Sequence, residues 1–246
     1  MSPSEDVIAV ILAGGKGTRL QPYTISLPKP LMPLGEHPIL EIVIKQLRAA
    51  GIKKVIICVG YLEMLIRAYF GDGSKFGVEI TYSSEDEPLG TAAPLTLIEN
   101  QLDYTFVFMN GDVFSDVDFH SLIEYHRNQA ANATVALSSR NVHIDFGVIE
   151  VNQDDEFLLW NEKPTLKYLV SMGIYVLEPS VIDLIPPGFF NIPDLIVKLK
   201  QCKQRVIGYR HDGYWLDIGR HEDYVNACQD VQEKGIDNWI CKRQLL

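Results

Sequence analysis

Short β-branched runs alternate with amphipathic helical stretches through the first half of this chain, and that alternation restricts the fold more than any other feature. Val7–Leu12 is almost wholly apolar and runs into Gly14-Gly15, the signature of a strand buried on both faces. Ile39, Ile42, Val43, Leu47 and Ala50 then share one helical face, and Gly51 stops the helix. Val55–Val59 predicts a strand, Leu62–Phe70 a helix and Val78–Tyr82 a short strand. Thr91 is placed to cap a helix with Pro94 in its first turn, reaching about Asn100. Thr105–Met109 predicts a strand that ends at Asn110-Gly111-Asp112-Val113; a helix through Phe119, Leu122, Ile123 and His126 and a strand at Ala133–Ser138 follow. Strands alternating with helices predict an α/β fold, Rossmann-like and doubly wound, around a mostly parallel mixed sheet.

The second half is more mixed. Strands are expected at Val148–Val151, Phe157–Trp160, Met172–Val176 and Val206–Tyr209, with helices at Ser180–Leu184, Pro193–Lys200 and His221–Glu233. No linker or repeat interrupts the chain. The 246 residues suit one domain over 1–235, with a first half to about 140, a second half over 141–235 and an irregular tail at 236–246. That tail could pack on the body or on a partner.

Charge and cysteine usage exclude several functions. The net charge is -10, so non-specific nucleic-acid coating, which needs a basic face, is not expected. A phosphate ligand needs only a few local cations. Cys58, Cys202, Cys228 and Cys241 have no metal-ligand spacing and are expected as reduced thiols of a cytoplasmic protein. The N-terminus lacks a basic region ahead of its short apolar run, and no stretch approaches the ~20 apolar residues of a membrane span. The histidines are expected on the surface or on helices. Trp160, Trp215 and Trp239 are expected to be packing residues.

The segment from Ala13 to Leu20, AGGKGTRL, follows a predicted strand. In open α/β sheets ligands sit at the carboxyl ends of strands. Glycines there let backbone N–H groups reach phosphate oxygens, Thr18 adds a hydroxyl, and Lys16 and Arg19 add charge. The loop is neither GxGxxG nor GxxxxGK[ST], so the residues alone support a phosphate loop or a tight turn with solvated charges. Lys29 lies between Pro28 and Pro30, which should fix an extended backbone and project the lysine from a stiff segment.

GGKGTRL followed by LPKPL, and then GIKKVIICVGY, EDEPLGTA, MNGDVFSDVDF, FGVIEV, NEKP, GIYVLEP and YWLDIGRHEDY, resemble in content and order the sugar-1-phosphate nucleotidylyltransferases, the NDP-sugar pyrophosphorylases. The EPLGTA block resembles their guanylyltransferase branch, which acts on mannose-, heptose- or glucosamine-type 1-phosphates. The resemblance implies transfer of a nucleotidyl group, with GTP favoured, to a sugar 1-phosphate, for nucleotide-sugar and polysaccharide synthesis. It implies Mg²⁺ held by Asp112 and Asp217. Arg19 and Lys29 would hold nucleotide phosphates and pyrophosphate, and Lys163 the sugar phosphate. Leu12, Ala13, Gly14, Gly15, Gly17, Thr18, Glu85, Glu87, Pro88, Gly90, Thr91 and Gly111 would surround the nucleotide. Gly147, Glu162, Ser171 and Gly173 would meet the sugar. No nucleic-acid or membrane partner is implied, and homo-oligomer assembly stays open. Ser171, Ala93 and Phe146 stand where relatives often have Asn, Gly and Tyr; these departures bear on the sugar rather than on the reaction.

Three alternatives compete. Thymidylyl, uridylyl or cytidylyl transfer belongs to the same family. Asp116-Val117-Asp118 is a DxD string of the kind glycosyltransferases use for a metal-bound diphosphate. A non-catalytic nucleotide-sugar sensor would usually have lost a charged loop residue or a metal aspartate, and Arg19, Lys29, Asp112, Lys163 and Asp217 are all present.

Overall fold

The computed structural model describes residues 7–85 and 87–240. Cys241 and the rest of 241–246 lie outside them. Strand β1 (Ile8–Ala13) leads through a short β2–β3 hairpin (Pro33–Leu34 and His37–Pro38) into helix α1 (Ile39–Ala49). β4 (Lys54–Val59), α2 (Glu63–Phe70), β5 (Glu79–Ser84), β6 (Phe106–Asn110), β7 (Val113–Ser115), α3 (Phe119–Asn128) and β8 (Ala133–His143) follow. The remainder comprises β9 (Val148–Val151), β10 (Phe157–Asn161), β11 (Thr165–Leu177), α4 (Ile192–Gln201), β12 (Val206–His211), β13 (Trp215–Asp217), α5 (His221–Lys234) and the short α6 (Asp237–Ile240).

Seven strands form the central sheet in the order β12-β8-β11-β6-β1-β4-β5. Only β11 runs antiparallel to its neighbours. The chain builds outward from β1 through β4 to β5, then returns to place β6 on the other side of β1. The carboxyl ends of β1 and β6 therefore meet at a switch point, where an open α/β sheet leaves a crevice.

The period of two along β1 explains the core. Ala9, Ile11 and Ala13 face a layer containing Leu40, Val43, Leu47, Ile66, Phe119 and Leu122, from α1, α2 and α3. Val10 faces the opposite layer with Phe108, Ile98, Ile182, Leu195 and Leu199. Full burial of each such aliphatic side chain stabilises by roughly 1.5–3 kcal/mol. A third cluster joins Leu20, Met32, Ile39, Phe114, Ile218, Val231 and Trp239.

Several expectations need correction. Ala93–Gln101 winds as a 3₁₀ helix, and Thr91 does not cap it. The Thr91 hydroxyl instead accepts the N–H of Ile192, at the start of α4. Within the tail, 237–240 form α6, where Trp239 is buried against Phe114 and its carbonyl accepts from Gln46. Trp160 is 56% exposed rather than packed, while His126, on a helix as expected, is fully buried. Cys58, Cys202 and Cys228 are free thiols. Among the described residues, no helix is long and apolar enough to cross a membrane.

Candidate active site

Gly111 closes the floor of the crevice. Its N–H donates to the Leu12 carbonyl at 2.8 Å, which ties the end of β6 to the end of β1. A Cβ at Gly111 would lie 2.7 Å from that same carbonyl oxygen, so only glycine allows the approach. Asp112, the next residue, stands at the mouth.

Lys29 reaches Asp112 from below. Pro28 is extended, as expected, but Lys29–Leu31 then turns as a 3₁₀ segment, which carries Lys29 inward. Lys29 is 6% exposed; Nζ forms an ion pair with Asp112 Oδ2 and lies 4.0 Å from Asp217 Oδ1. The lysine thus holds two carboxylates together instead of projecting into solvent. Asp112 Oδ1 is buried and has no hydrogen-bond partner among the described residues. Asp217 comes from β13, whose pairing with β7 sets it opposite Val113. Burial, with the nearby charge of Asp112, pushes its carboxyl above the usual range, while Lys29 and Arg19 pull the other way.

Four adjoining cavities surround this pair. The largest, 940 Å³, is lined by Leu12, Gly14, Gly15, Lys16, Glu85, Glu87, Pro88, Gly90, Thr91, Asn110 and Asp112, with Phe189 and Asn191 on one side. One Glu85 carboxylate oxygen accepts the Leu89 N–H at 3.0 Å, which fixes that side chain at the wall. Cys58 lies beneath, its thiol pushed up to about 12 by burial and by Glu85. A 230 Å³ cavity follows the glycine loop through Ala13, Gly15, Gly17, Thr18 and Arg19 to Lys29 and Asp112. A third, of 550 Å³, is lined by Asn110, Ser171, Gly173, Asn191, Asp194, Trp215 and Asp217. A fourth, of 400 Å³, lies beyond Arg19 and Asp217.

The structure therefore gathers every expected nucleotide residue except Gly111, which forms the floor, onto the first two cavities. Ser171 and Gly173 line the third, where the Ser171 hydroxyl bonds the Tyr175 hydroxyl at 2.9 Å. Gly147, Glu162 and Lys163 line none of the four. They sit at the exposed β9–β10 ribbon, where Trp160 Nε1 donates to Glu162 and the indole crosses Gly147. The ribbon is apolar and open to solvent, with Phe157 62% exposed. Neither aspartate of the DxD string lines any of these four cavities. Asp118 caps α3 by accepting the His120 N–H, and Asp116 Oδ1 lies 2.8 Å from His211 Nε2. Asn110, Asn191, Asp194 and Trp215 are site residues that sequence reasoning missed. Asn110 immediately precedes the Gly-Asp pair, a signal that was available.

A family model for nucleotidyl transferases matches residues 8–234. The chain belongs to the nucleotidyl transferase family. A mannose-1-phosphate guanylyltransferase of Mycobacterium tuberculosis is 36% identical over 239 residues, covering 93% of this chain and 65% of its own length. A UTP–glucose-1-phosphate uridylyltransferase of Synechocystis is 34% identical, covering 94% of this chain and 64% of its own length. This nucleotidyl transferase chain thus spans just under two thirds of the length of these curated relatives. A Bacillus anthracis protein assigned as a glucose-1-phosphate thymidylyltransferase, solved with sucrose, superposes with a TM-score of 0.76 at 28% identity, over 92% of this chain and 96% of its own.

Proposed function

We propose that this nucleotidyl transferase moves GMP from GTP to a sugar 1-phosphate, giving a GDP-sugar and pyrophosphate. The observation that carries the proposal is the Asp112 carboxylate at the switch point. One oxygen is held by a buried lysine, the other is buried and unpartnered among the described residues, and a glycine loop lies alongside. An orphaned buried carboxylate oxygen costs stability unless a ligand satisfies it.

Asp112 and Asp217 suit Mg²⁺, which takes one or two carboxylates and completes its shell with substrate phosphates and water. Among the described residues no cluster of three acidic, histidine or cysteine side chains competes as a metal centre. When bound, Mg²⁺ would neutralise charge on the nucleotide phosphates. The chain's own part is positional and electrostatic. Backbone groups of the glycine loop and Thr18 would orient the triphosphate, and Arg19 and Lys29 would stabilise charge moving onto the leaving pyrophosphate. The sugar phosphate would enter through the cavity of Ser171 and Asp217, and its oxygen would attack the α-phosphorus in line. Lys163 would bind the sugar phosphate, with Glu162 accepting from sugar hydroxyls.

Glu85 and Glu87 border the cavity suited to a base. A carboxylate accepts from guanine N1–H and the exocyclic amino group together, whereas thymine and uracil offer one ring N–H there. Similarity to mannose-1-phosphate guanylyltransferases favours a mannose-type sugar. The test is a matrix of nucleoside triphosphates against sugar 1-phosphates, read by pyrophosphate release. GTP with mannose 1-phosphate should lead, with kcat/KM at least ~10-fold above any pyrimidine nucleotide. A pyrimidine nucleotide that matches GTP would overturn the base assignment and point to uridylyl transfer of the Synechocystis type.

A further inference from the structure

We propose that Arg140 and Arg220 hold the pyrophosphate end of the nucleotide, and the pyrophosphate once released, in the 400 Å³ cavity beyond Arg19. The proposal rests on the nucleotidyl-transfer reading above.

Three arginines, Arg19, Arg140 and Arg220, line this one cavity. Arg140 and Arg220 are exposed and line this cavity. Three like charges gather at a cost unless an anion satisfies them. Two carboxylates line the same cavity: Asp223 accepts the backbone N–H of Arg220 at 2.8 Å, and Asp217 is acted on by both Lys29 and Arg19, so three arginines stand against two aspartates there.

The backbone supplies a second part of the cradle. β12 pairs with β8 only as far as Ser138, opposite His211. β8 continues to His143, so its outer edge is open beyond that point. Ser138, Ser139, Arg140 and Asn141 all line the cavity. Consecutive residues of a strand can do so only if the strand presents its edge, where N–H groups lack a neighbouring strand. Edge N–H groups, serine hydroxyls and planar guanidinium forks together suit a polyphosphate oxygen array.

The glycine-loop cavity and this one share Arg19, while the Ser171 cavity shares Trp215 and Asp217 with it, so the direction of the displacement decides the ligand. In an in-line displacement the leaving group departs opposite the attacking oxygen. With the sugar phosphate arriving by Ser171 and Gly173, the departing pyrophosphate follows the glycine loop past Arg19 and meets Arg140 and Arg220.

Calorimetric titration of the whole protein with pyrophosphate, at fixed Mg²⁺, tests this directly. The double variant Arg140→Ala, Arg220→Ala should bind pyrophosphate at least ~10-fold more weakly, about 1.4 kcal/mol. Its affinity for GMP, which lacks the pyrophosphoryl end, should stay within about twofold, and Arg140→Lys, Arg220→Lys should recover only part of the loss. A circular-dichroism melt should match that of the parent protein. The inference is overturned if the parent takes up no pyrophosphate, if the double variant binds it as tightly, or if GMP affinity falls in parallel. A raised KM for the sugar 1-phosphate with pyrophosphate binding intact would also overturn it, assigning the arginines to an anionic sugar. Arginine-dependent pyrophosphate binding without turnover on any substrate pair would sustain this site while sinking the transfer reading. Turnover with arginine-independent pyrophosphate binding would do the reverse.

Discussion

Two polar clusters stand at opposite ends of β6, and they are satisfied in opposite ways. Before the strand, Thr105 donates to Glu178 at 2.7 Å, His126 Nε2 lies 3.0 Å from the same carboxylate, and His126 Nδ1 lies 2.8 Å from the Thr134 hydroxyl. Each polar group there has a partner. After the strand, Lys29 restrains Asp112 and Asp217 while a buried Asp112 oxygen has none. The pKa directions agree with the contrast. The hydrogen bond from His126 draws the Glu178 carboxyl below its ordinary range, aided by Thr105 against the effect of burial. Burial and Asp112 drive Asp217 above its ordinary range. One cluster is internally satisfied; the other leaves a buried carboxylate oxygen without a partner among the described residues, as functional sites commonly do.

The largest effect that sharpens this contrast is on turnover. Lys29→Ala should lower kcat/KM for the nucleotide by at least ~100-fold, as expected when a charge-stabilising group is lost. Lys163→Ala should act mainly on KM for the sugar 1-phosphate. Steady-state kinetics with each substrate varied separately checks the division, and equal effects of both changes on both substrates would break it.

Removing the partner at the satisfied cluster should cost stability instead. His126→Ala should destabilise by about 1–3 kcal/mol in urea unfolding, because Glu178 loses a buried donor. Specific activity of the folded fraction should not move. The sign with pH follows from the depressed Glu178 value. Its contribution is present above the unfolded carboxylate pKa and is lost as pH falls through the folded one. His126→Ala should therefore flatten the acid side of the stability profile; an unchanged acid limb would show that the network contributes little.

The smallest effect has the opposite sign. Asp217 is raised when folded, so its ionised form costs stability above its unfolded pKa, and the cost fades as pH falls through the folded value. Asp217→Asn should raise Tm at pH 7 by up to about 2 °C, small because the side chain is half exposed. Turnover should collapse in the same variant. A lowered Tm would show that Asp217 is held for structure.

The two clusters were unequally legible in the sequence. The glycine loop, Lys29 and Asp112 could be placed from strand ends and motif order, because strand periodicity is local and strong. The inward turn at Lys29 could not, since it depends on packing below the crevice. His126 was placed on its helix, but its partners Thr134 and Glu178 were not, because helical position does not reveal which strand lies across from it. Asp118 caps α3, legible from its place just before the Phe119 helix, whereas the contact of Asp116 with the β12 histidine was not. Trp160 sits in a strand, yet its ribbon leaves the central sheet and exposes it, a consequence of topology rather than of local pattern. Arg140 and Arg220 come together only through the early end of β12.

Pyrophosphate release from GTP and mannose 1-phosphate, with Mg²⁺, in the native chain and in Asp112→Asn, tests most directly the claim that the unsatisfied end of β6 carries the chemistry. The account predicts sustained release by the native chain and at least ~100-fold less by the variant at an unchanged circular-dichroism spectrum. Near-native release by Asp112→Asn would contradict it.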